Sequence, residues 1–281
     1  MSKVRCIGID PAPGKPTVVC EEDEDKPGGF AFKAWKPHEV RAEIADLLAT
    51  AKKNGERLVV TWDAPLRLDR GEVPNSRDYA SRLIDNAVSR WKPKMPLEAG
   101  AVGVANASSV PHNFLTQHVW GLPVGEVPEH GAHLVLPGQT FATVSASCML
   151  AEVHPAVALA AWWVGQVKPG EMPRYKGGKR QLSALTKDIA DFLEPRFPTT
   201  SPCAFPRAAI FNTKLPGQPD DRLDAWIACR LAHDWTENEA HPVGPPDGGS
   251  YLLPTSLNWQ VLHAGLSDTA KKKLANRSAA T

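Results

Sequence analysis

Residues 4–10, Val-Arg-Cys-Ile-Gly-Ile-Asp, decide the fold, because an apolar strand pattern ends there in a carboxylate and meets a turn at Pro11. Two more strands are predicted over residues 17–20 and 30–35. All three are short and are separated by turn-forming residues, which is typical of strands joined as hairpins. The sequence therefore predicts that these residues form a three-strand meander.

A helix and a fourth strand follow the meander. Apolar residues recur at helical spacing over residues 40–51, and Asn54-Gly55 is a typical helix end. Residues 58–62, Leu-Val-Val-Thr-Trp, then form a buried strand that ends at Asp63. Further on, the pattern predicts strands at 149–152, 208–211 and 251–253, and helices at 155–164, 182–193 and 220–235. This alternation predicts an α/β fold, with a mixed sheet flanked by helices.

Residues from about 66 to 146 interrupt that pattern with a stretch rich in Gly, Pro and His. A long insertion in a compact domain is more often functional than not, and a lid or a substrate-binding region fits this one. No change in composition marks a domain boundary, so residues 1–281 are predicted to form a single domain. A frayed basic tail is expected from about residue 268.

Composition narrows the class of protein. Lys plus Arg number 32 and Asp plus Glu 31, so the net charge of +1 gives no overall attraction to nucleic acid or to anionic membranes. The 5 cysteines are scattered without a C-x-x-C pair, which favours neither a zinc ribbon nor a disulfide framework. With no signal-peptide pattern and no long apolar run, we expect a reduced, cytoplasmic protein without a membrane partner.

Acidic residues end several of the predicted strands. Asp10 precedes Pro11, Asp63 precedes Ala64-Pro65, and Glu152 ends a third strand. In open α/β sheets, ligands bind beyond the carboxyl ends of the strands. If these strands are neighbours, the three acids converge at one edge of the sheet.

A second acidic group, Asp220, Asp221 and Asp224, begins the last long helix. At about 100° per residue, Asp220 and Asp224 fall beside the apolar face of that helix, whereas Asp221 falls toward solvent. Buried carboxylates need a counter-charge, and Mg²⁺ or Mn²⁺ is the natural one for oxygen ligands. Clustered carboxylates that hold such ions hydrolyse phosphodiesters.

Each acid also has a plain structural explanation. An Asp before Pro forms turns, and an Asp in the first turn of a helix is favoured by the helix dipole. The argument for a site depends on the joint pattern, in which strand-end acids accompany an inward-facing pair on a helix.

These motifs resemble domain-of-unknown-function family 429, which is described as predicted nucleases of ribonuclease H-like fold. The resemblance extends from Gly8 to about Leu253. It is carried by Gly8-Ile9-Asp10-Pro11, Trp62-Asp63-Ala64-Pro65, Glu152-Val153-His154-Pro155, Tyr175-Lys176 with Arg180, and Asp220-Asp221-Arg222-Leu223-Asp224-Ala225.

The resemblance implies a single ribonuclease H-like domain whose catalytic acids are Asp10, Asp63 and Asp224. Glu152 would assist them, and Asp220 or Asp221 would help to hold the metal. Enzymes of the ribonuclease H type generally carry Glu on the fourth strand, where this chain has the shorter Asp63.

Candidate substrate contacts are basic. Lys176, Lys179 and Arg180 lie close together ahead of a predicted helix, where they would bind phosphate or simply form a solvated loop. His154 would tune Glu152, touch phosphate or serve as a structural hydrogen-bond donor.

The leading hypothesis is therefore a divalent-metal-dependent nuclease, a hydrolase of phosphodiester bonds, with nucleic acid as its partner. One alternative is a nucleotide-phosphate enzyme of the actin-like ATPase type, although the Gly-rich phosphate loops of such enzymes are missing. Another is a non-catalytic module that binds nucleic acid or protein through the basic part of the insertion.

Overall fold

The computed structural model describes residues 3–23, 29–67, 69, 82–91, 109–121, 131–163, 182–200 and 203–278. The strands in these ranges are β1 (Val4–Asp10), β2 (Thr17–Asp23), β3 (Gly29–Trp35), β4 (Arg57–Trp62), β5 (His133–Leu134), β6 (Cys148–Glu152), β7 (Ala240–Val243) and β8 (Tyr251–Pro254). The helices are α1 (Val40–Asn54), α2 (Leu83–Arg90), α3 (Ser109–Trp120), α4 (Pro155–Trp163), α5 (Leu182–Arg196), α6 (Arg207–Ile210), α7 (Pro219–Thr236), α8 (Trp259–Ala264) and α9 (Asp268–Ser278).

Six of the strands form one mixed sheet in the order β3-β2-β1-β4-β6-β5. The meander β1–β2–β3 is antiparallel, as predicted, whereas β4 pairs parallel with β1 and β6 pairs parallel with β4. The parallel register sets Ile9 opposite Trp62 and Trp62 opposite Glu152. The carboxyl ends of β1, β4 and β6 therefore meet at one edge of the sheet.

Alternation along β1 assigns its side chains to two apolar layers. Ile7 and Ile9 join α1 and the inner residues of α3 in one core cluster. Cys6 joins α7, α4 and the β7–β8 hairpin in the other. The sheet is therefore covered by helices on both faces, which agrees with the predicted α/β class.

The last long helix, α7, lies between the sheet and the β7–β8 hairpin and is buried along nearly its whole length. Pro219 occupies its first position, where the missing N–H costs nothing. Asp221 completes the helix start, because its Oδ2 accepts the Gln218 N–H at 3.1 Å. Together these residues fix where α7 begins relative to the strand ends.

Several sequence predictions need correction. Residues 208–211 do not form a strand but belong largely to the short helix α6, and α5 continues through Pro195 to Arg196. Residues from 268 form helix α9 and not a frayed tail, because Ala270 packs against the core. The short strands β5 and β7 were not predicted, since neither is long enough to show an alternating pattern.

All five cysteines are free and buried, as expected of a chain without disulfides. Among the described residues, no helix has the length and apolar character needed to cross a membrane.

Candidate metal centre

Three aspartates converge at the edge of the sheet where β1 and β4 end. Asp10 is the last residue of β1, and Asp63 directly follows β4. The Asp63 N–H donates to the carbonyl of Ile9 at 3.0 Å, which extends the parallel ladder to the acids themselves. Asp224 reaches the same point from the first turns of α7.

The approach of α7 depends on Gly8 in β1. A Cβ at this position would lie 2.1 Å from both the carbonyl oxygen of Ala225 and the backbone nitrogen of Cys229. Such a contact is impossible, so the backbone of α7 rests directly on the backbone of β1. Since Ala225 follows Asp224 in the chain, this close packing delivers the Asp224 carboxylate to the strand end.

One carboxylate oxygen from each of Asp10, Asp63 and Asp224 lies within 4.8 Å of the other two. Asp224 is 0% exposed, whereas Asp10 and Asp63 are half-buried. We call these three residues the Asp triad. Ionised carboxylates at this separation repel one another, and a hard divalent cation relieves that repulsion while taking oxygen ligands. The donor set therefore fits a divalent cation.

Asp220 and Asp221 lie at the start of α7, one turn before Asp224, and they differ in their surroundings. Asp220 is buried, and its Oδ1 has no hydrogen-bond partner among the described residues. A buried carboxylate oxygen in that state is available to accept a hydrogen bond or to bind a cation. Asp220 is not part of the closely spaced triad, so it is a candidate outer ligand.

Asp221 does not face solvent as the helical wheel predicted, because the turn that carries Lys15 lies against this helix start. Its carboxylate is buried, with Oδ1 paired to the Lys15 ammonium and Oδ2 accepting the Gln218 N–H. Both oxygens are therefore engaged in holding the helix start, which leaves Asp221 poorly suited to bind the metal.

Glu152 lies beside the triad in the sheet register but belongs to a different cluster. The Arg82 guanidinium donates to both of its oxygens, from Nη2 to Oε1 at 2.7 Å and from Nη1 to Oε2 at 2.8 Å. The Leu66 N–H donates to Oε2 at 2.8 Å. Burial raises the pKa of Glu152 to about 7, although Arg82 and the Leu66 N–H act to lower it.

Arg82 completes a buried polar cluster with Asp85, Glu152 and Tyr251, which we call the Arg82 cluster. Arg82 Nε donates to Asp85 Oδ2 at 2.9 Å, and the Tyr251 hydroxyl donates to Asp85 Oδ1. The sequence patterns did not predict a buried ion pair within residues 82–85, so the complete burial of Arg82 was missed. The only hint of this ion pair in the sequence is the i, i+3 spacing of Arg82 and Asp85, and that spacing is also common on exposed helices.

His154 is half-buried, and its ring meets the Tyr251 ring edge-on with centroids 5.5 Å apart. This contact connects His154 to the Arg82 cluster. Lys176, Lys179 and Arg180, the other predicted substrate contacts, lie outside the described residues.

Residues 138–248 match the family model described as "Protein of unknown function (DUF429)". The matched segment includes Glu152 and the α7 acids but not Asp10 or Asp63, so it is shorter than the span of the resemblance drawn from the sequence. No curated protein and no solved structure matches the chain at a significant level.

Proposed function

We propose that this protein is a divalent-metal-dependent nuclease in which the Asp triad holds the metal. The observation that carries the proposal is the convergence of three carboxylate oxygens within 4.8 Å at the strand ends. Hydrolysis of phosphodiesters is a typical use of such carboxylate clusters.

The sheet supports the finer proposal of a ribonuclease H-like fold. That fold begins with a three-strand meander, a helix and further strands, and this chain has β1, β2, β3, α1 and β4 in that order. The strand order β3-β2-β1-β4-β6 sets the two acid-bearing strands side by side at the centre of the sheet. An acid on the helix packed against them completes the set that the resemblance implies.

Each triad residue has a distinct role in this proposal. Asp224 supplies a ligand from the protein interior, while the half-buried Asp10 and Asp63 form the side that a substrate reaches from solvent. Mg²⁺ or Mn²⁺, when bound, would supply Lewis acidity for attack of water on a phosphodiester. The three carboxylates would hold that ion and orient the scissile phosphate toward the strand ends.

We assign Glu152 a positioning role rather than a metal-binding one. Its Oε2 holds the Leu66 N–H, three residues after Asp63, and so fixes the segment that leaves the strand end. This differs from the direct catalytic role that the resemblance implies, because the Arg82 guanidinium takes up both oxygens.

The test is cleavage of labelled single-stranded, duplex, hybrid and branched DNA and RNA in Mg²⁺ or Mn²⁺. Asp10→Asn should lose turnover while remaining folded, and a chelator should abolish cleavage by the unmodified protein. Asp46→Asn makes the same chemical change on the exposed face of α1 and should cleave normally. Cleavage that survives both Asp10→Asn and the chelator would contradict the proposal. Absence of any cleavage by the folded protein would also contradict it, and specific ATP binding would then favour the nucleotide-phosphate alternative.

A further inference from the structure

Lys15 places a positive charge beside the Asp triad. It lies in the turn between β1 and β2, five residues after Asp10, and its side chain is 56% exposed. The Ala12 N–H donates to Thr17 Oγ1 at 3.1 Å, which closes the turn that carries Lys15. This turn begins directly after a triad residue, so its geometry is tied to that of the site.

Asp221 holds the Lys15 ammonium at the start of α7. The Asp221 side chain is itself only 7% exposed and is fixed by its hydrogen bond to the Gln218 N–H. Burial alone would lower the pKa of Lys15, but the hydrogen bond to Asp221 and the charges of Asp221, Asp10 and Asp220 raise it. Lys15 therefore stays protonated at neutral pH, within the electrostatic field of the acidic site.

Arg222, the next basic residue at this helix start, is used differently. Its guanidinium is buried and donates to the carbonyl oxygens of Ile210, Leu215, Pro216 and Gly217. These bonds hold the segment before α7 and leave Arg222 no access to a ligand. Lys15, by contrast, has three N–H donors, a short salt bridge to Asp221 and a side chain that solvent reaches.

We propose that Lys15 binds a non-bridging phosphate oxygen of the nucleic-acid substrate next to the Asp triad. This inference rests on the proposed nuclease function and adds a substrate contact to it. A group of carboxylates repels a phosphodiester, so an exposed ammonium at the rim offsets that repulsion and positions the backbone. The anchor on Asp221 fixes the ammonium beforehand and so reduces the entropy lost on binding.

A simpler explanation is that the Lys15–Asp221 pair only fastens the turn to the helix. The chain offers a matched control in Lys33, whose side chain is 54% exposed and pairs with the buried Glu21. The two ion pairs have nearly the same exposure, but the Lys33 pair lies within the meander, on β2 and β3.

The experiment compares Lys15→Gln, Lys15→Arg and Lys33→Gln at saturating Mn²⁺, with the best substrate of the nucleic-acid panel. Lys15→Gln should raise KM by about tenfold with little change in kcat, because it removes a charged contact made in ground and transition states alike. It should also reduce the slope of log KM against log salt concentration by about 1. Lys15→Arg should restore most of the affinity, and Lys33→Gln should match the unmodified protein.

A direct measurement of Mn²⁺ affinity distinguishes a phosphate contact made by Lys15 from a purely structural Lys15–Asp221 pair. Loss of the Lys15 charge should leave Mn²⁺ affinity unchanged or higher, because a repulsive cation is removed from the site. A fall in Mn²⁺ affinity, an unchanged KM or an equal effect of Lys33→Gln would overturn the inference while leaving the nuclease proposal standing. If the unmodified protein cleaves no substrate, both proposals fail.

Discussion

Two groups of carboxylates lie at the same edge of the six-stranded sheet, and they differ in what surrounds them. In the Arg82 cluster a fully buried guanidinium lies between Glu152 and Asp85 and bonds to both. In the Asp triad three carboxylates approach one another to within 4.8 Å, and two of them are reachable from solvent. The register sets Glu152 opposite Trp62, one residue before Asp63, and successive strand positions point to opposite faces of a sheet.

The two groups of acids differ in the charges that surround them. A covalently attached cation such as Arg82 turns an acid into a structural element, because both of its oxygens are occupied. Three carboxylates within 4.8 Å of one another are suited to an exchangeable cation, which relieves their mutual repulsion. We therefore expect substitutions in the Asp triad and in the Arg82 cluster to have different effects on activity and stability.

The largest difference is expected in metal-dependent activity. Asp224→Asn should reduce cleavage on the order of 1,000-fold and weaken Mn²⁺ binding, because it removes an interior ligand. Its thermal midpoint should stay the same or rise, since repulsion within the triad falls. Glu152→Gln should keep Mn²⁺ binding. Titration calorimetry measures the Mn²⁺ affinity of both variants, and the cleavage assay measures their activity. Loss of Mn²⁺ binding in Glu152→Gln would contradict the distinction between the triad and the Arg82 cluster.

The next effect concerns stability. Arg82→Met leaves two carboxylates buried without their guanidinium, so the free energy of unfolding should fall by about 3–5 kcal/mol. Arg207→Met is the matched control, because Arg207 also bonds to two acids, Asp191 and Glu194, but at the surface. That change should cost less than about 1 kcal/mol. Denaturant titration at pH 7 measures both, and equal losses would show that the Arg82 cluster is not a structural centre.

The smallest effect is the pH dependence that Glu152 contributes. Its pKa is raised from 4.5 to about 7 on folding, so the folded state binds a proton that the unfolded state releases. The stability from this group is complete below pH 4.5 and is lost as pH rises to about 7, by up to about 3 kcal/mol. Glu152→Gln removes the titration. The difference in unfolding free energy between the two proteins should therefore change from pH 5 to 7 and level off above, and a constant difference would contradict this account.

Most of the sheet follows from sequence patterns. The strands β1 to β4 and the helices α1 and α7 were predicted because their apolar periodicity is local and their ends carry Asp, Gly or Pro. Residues 208–211 were misassigned because Ala-Ala-Ile-Phe is apolar in either conformation. Helix formation there is decided by tertiary contacts, including the Arg222 bonds to the carbonyl of Ile210.

The triad could be predicted, but its surroundings could not. Asp10, Asp63 and Asp224 are marked by strand ends and a helix start, and parallel pairing of β1 with β4 brings them together. Glu152 is paired with Arg82, which lies 70 residues away in the chain. Asp221 is paired with Lys15, which lies 206 residues away. Side-chain pairing across such distances leaves no periodic signal, so the engagement of these two acids became visible only in the fold.

The contact at Gly8 sets the spacing between the strand that carries Asp10 and the helix that carries Asp224. Because α7 rests on β1 through main-chain atoms, the spacing between the two elements is set by hard contact rather than by adjustable side chains. Asp10 and Asp224 extend from these two elements, so the backbone sets the distance between their Cα atoms and the side-chain rotamers then place the carboxylates. The separation of the two acid-bearing elements is thus a property of the backbone, fixed by the absence of a single methyl group.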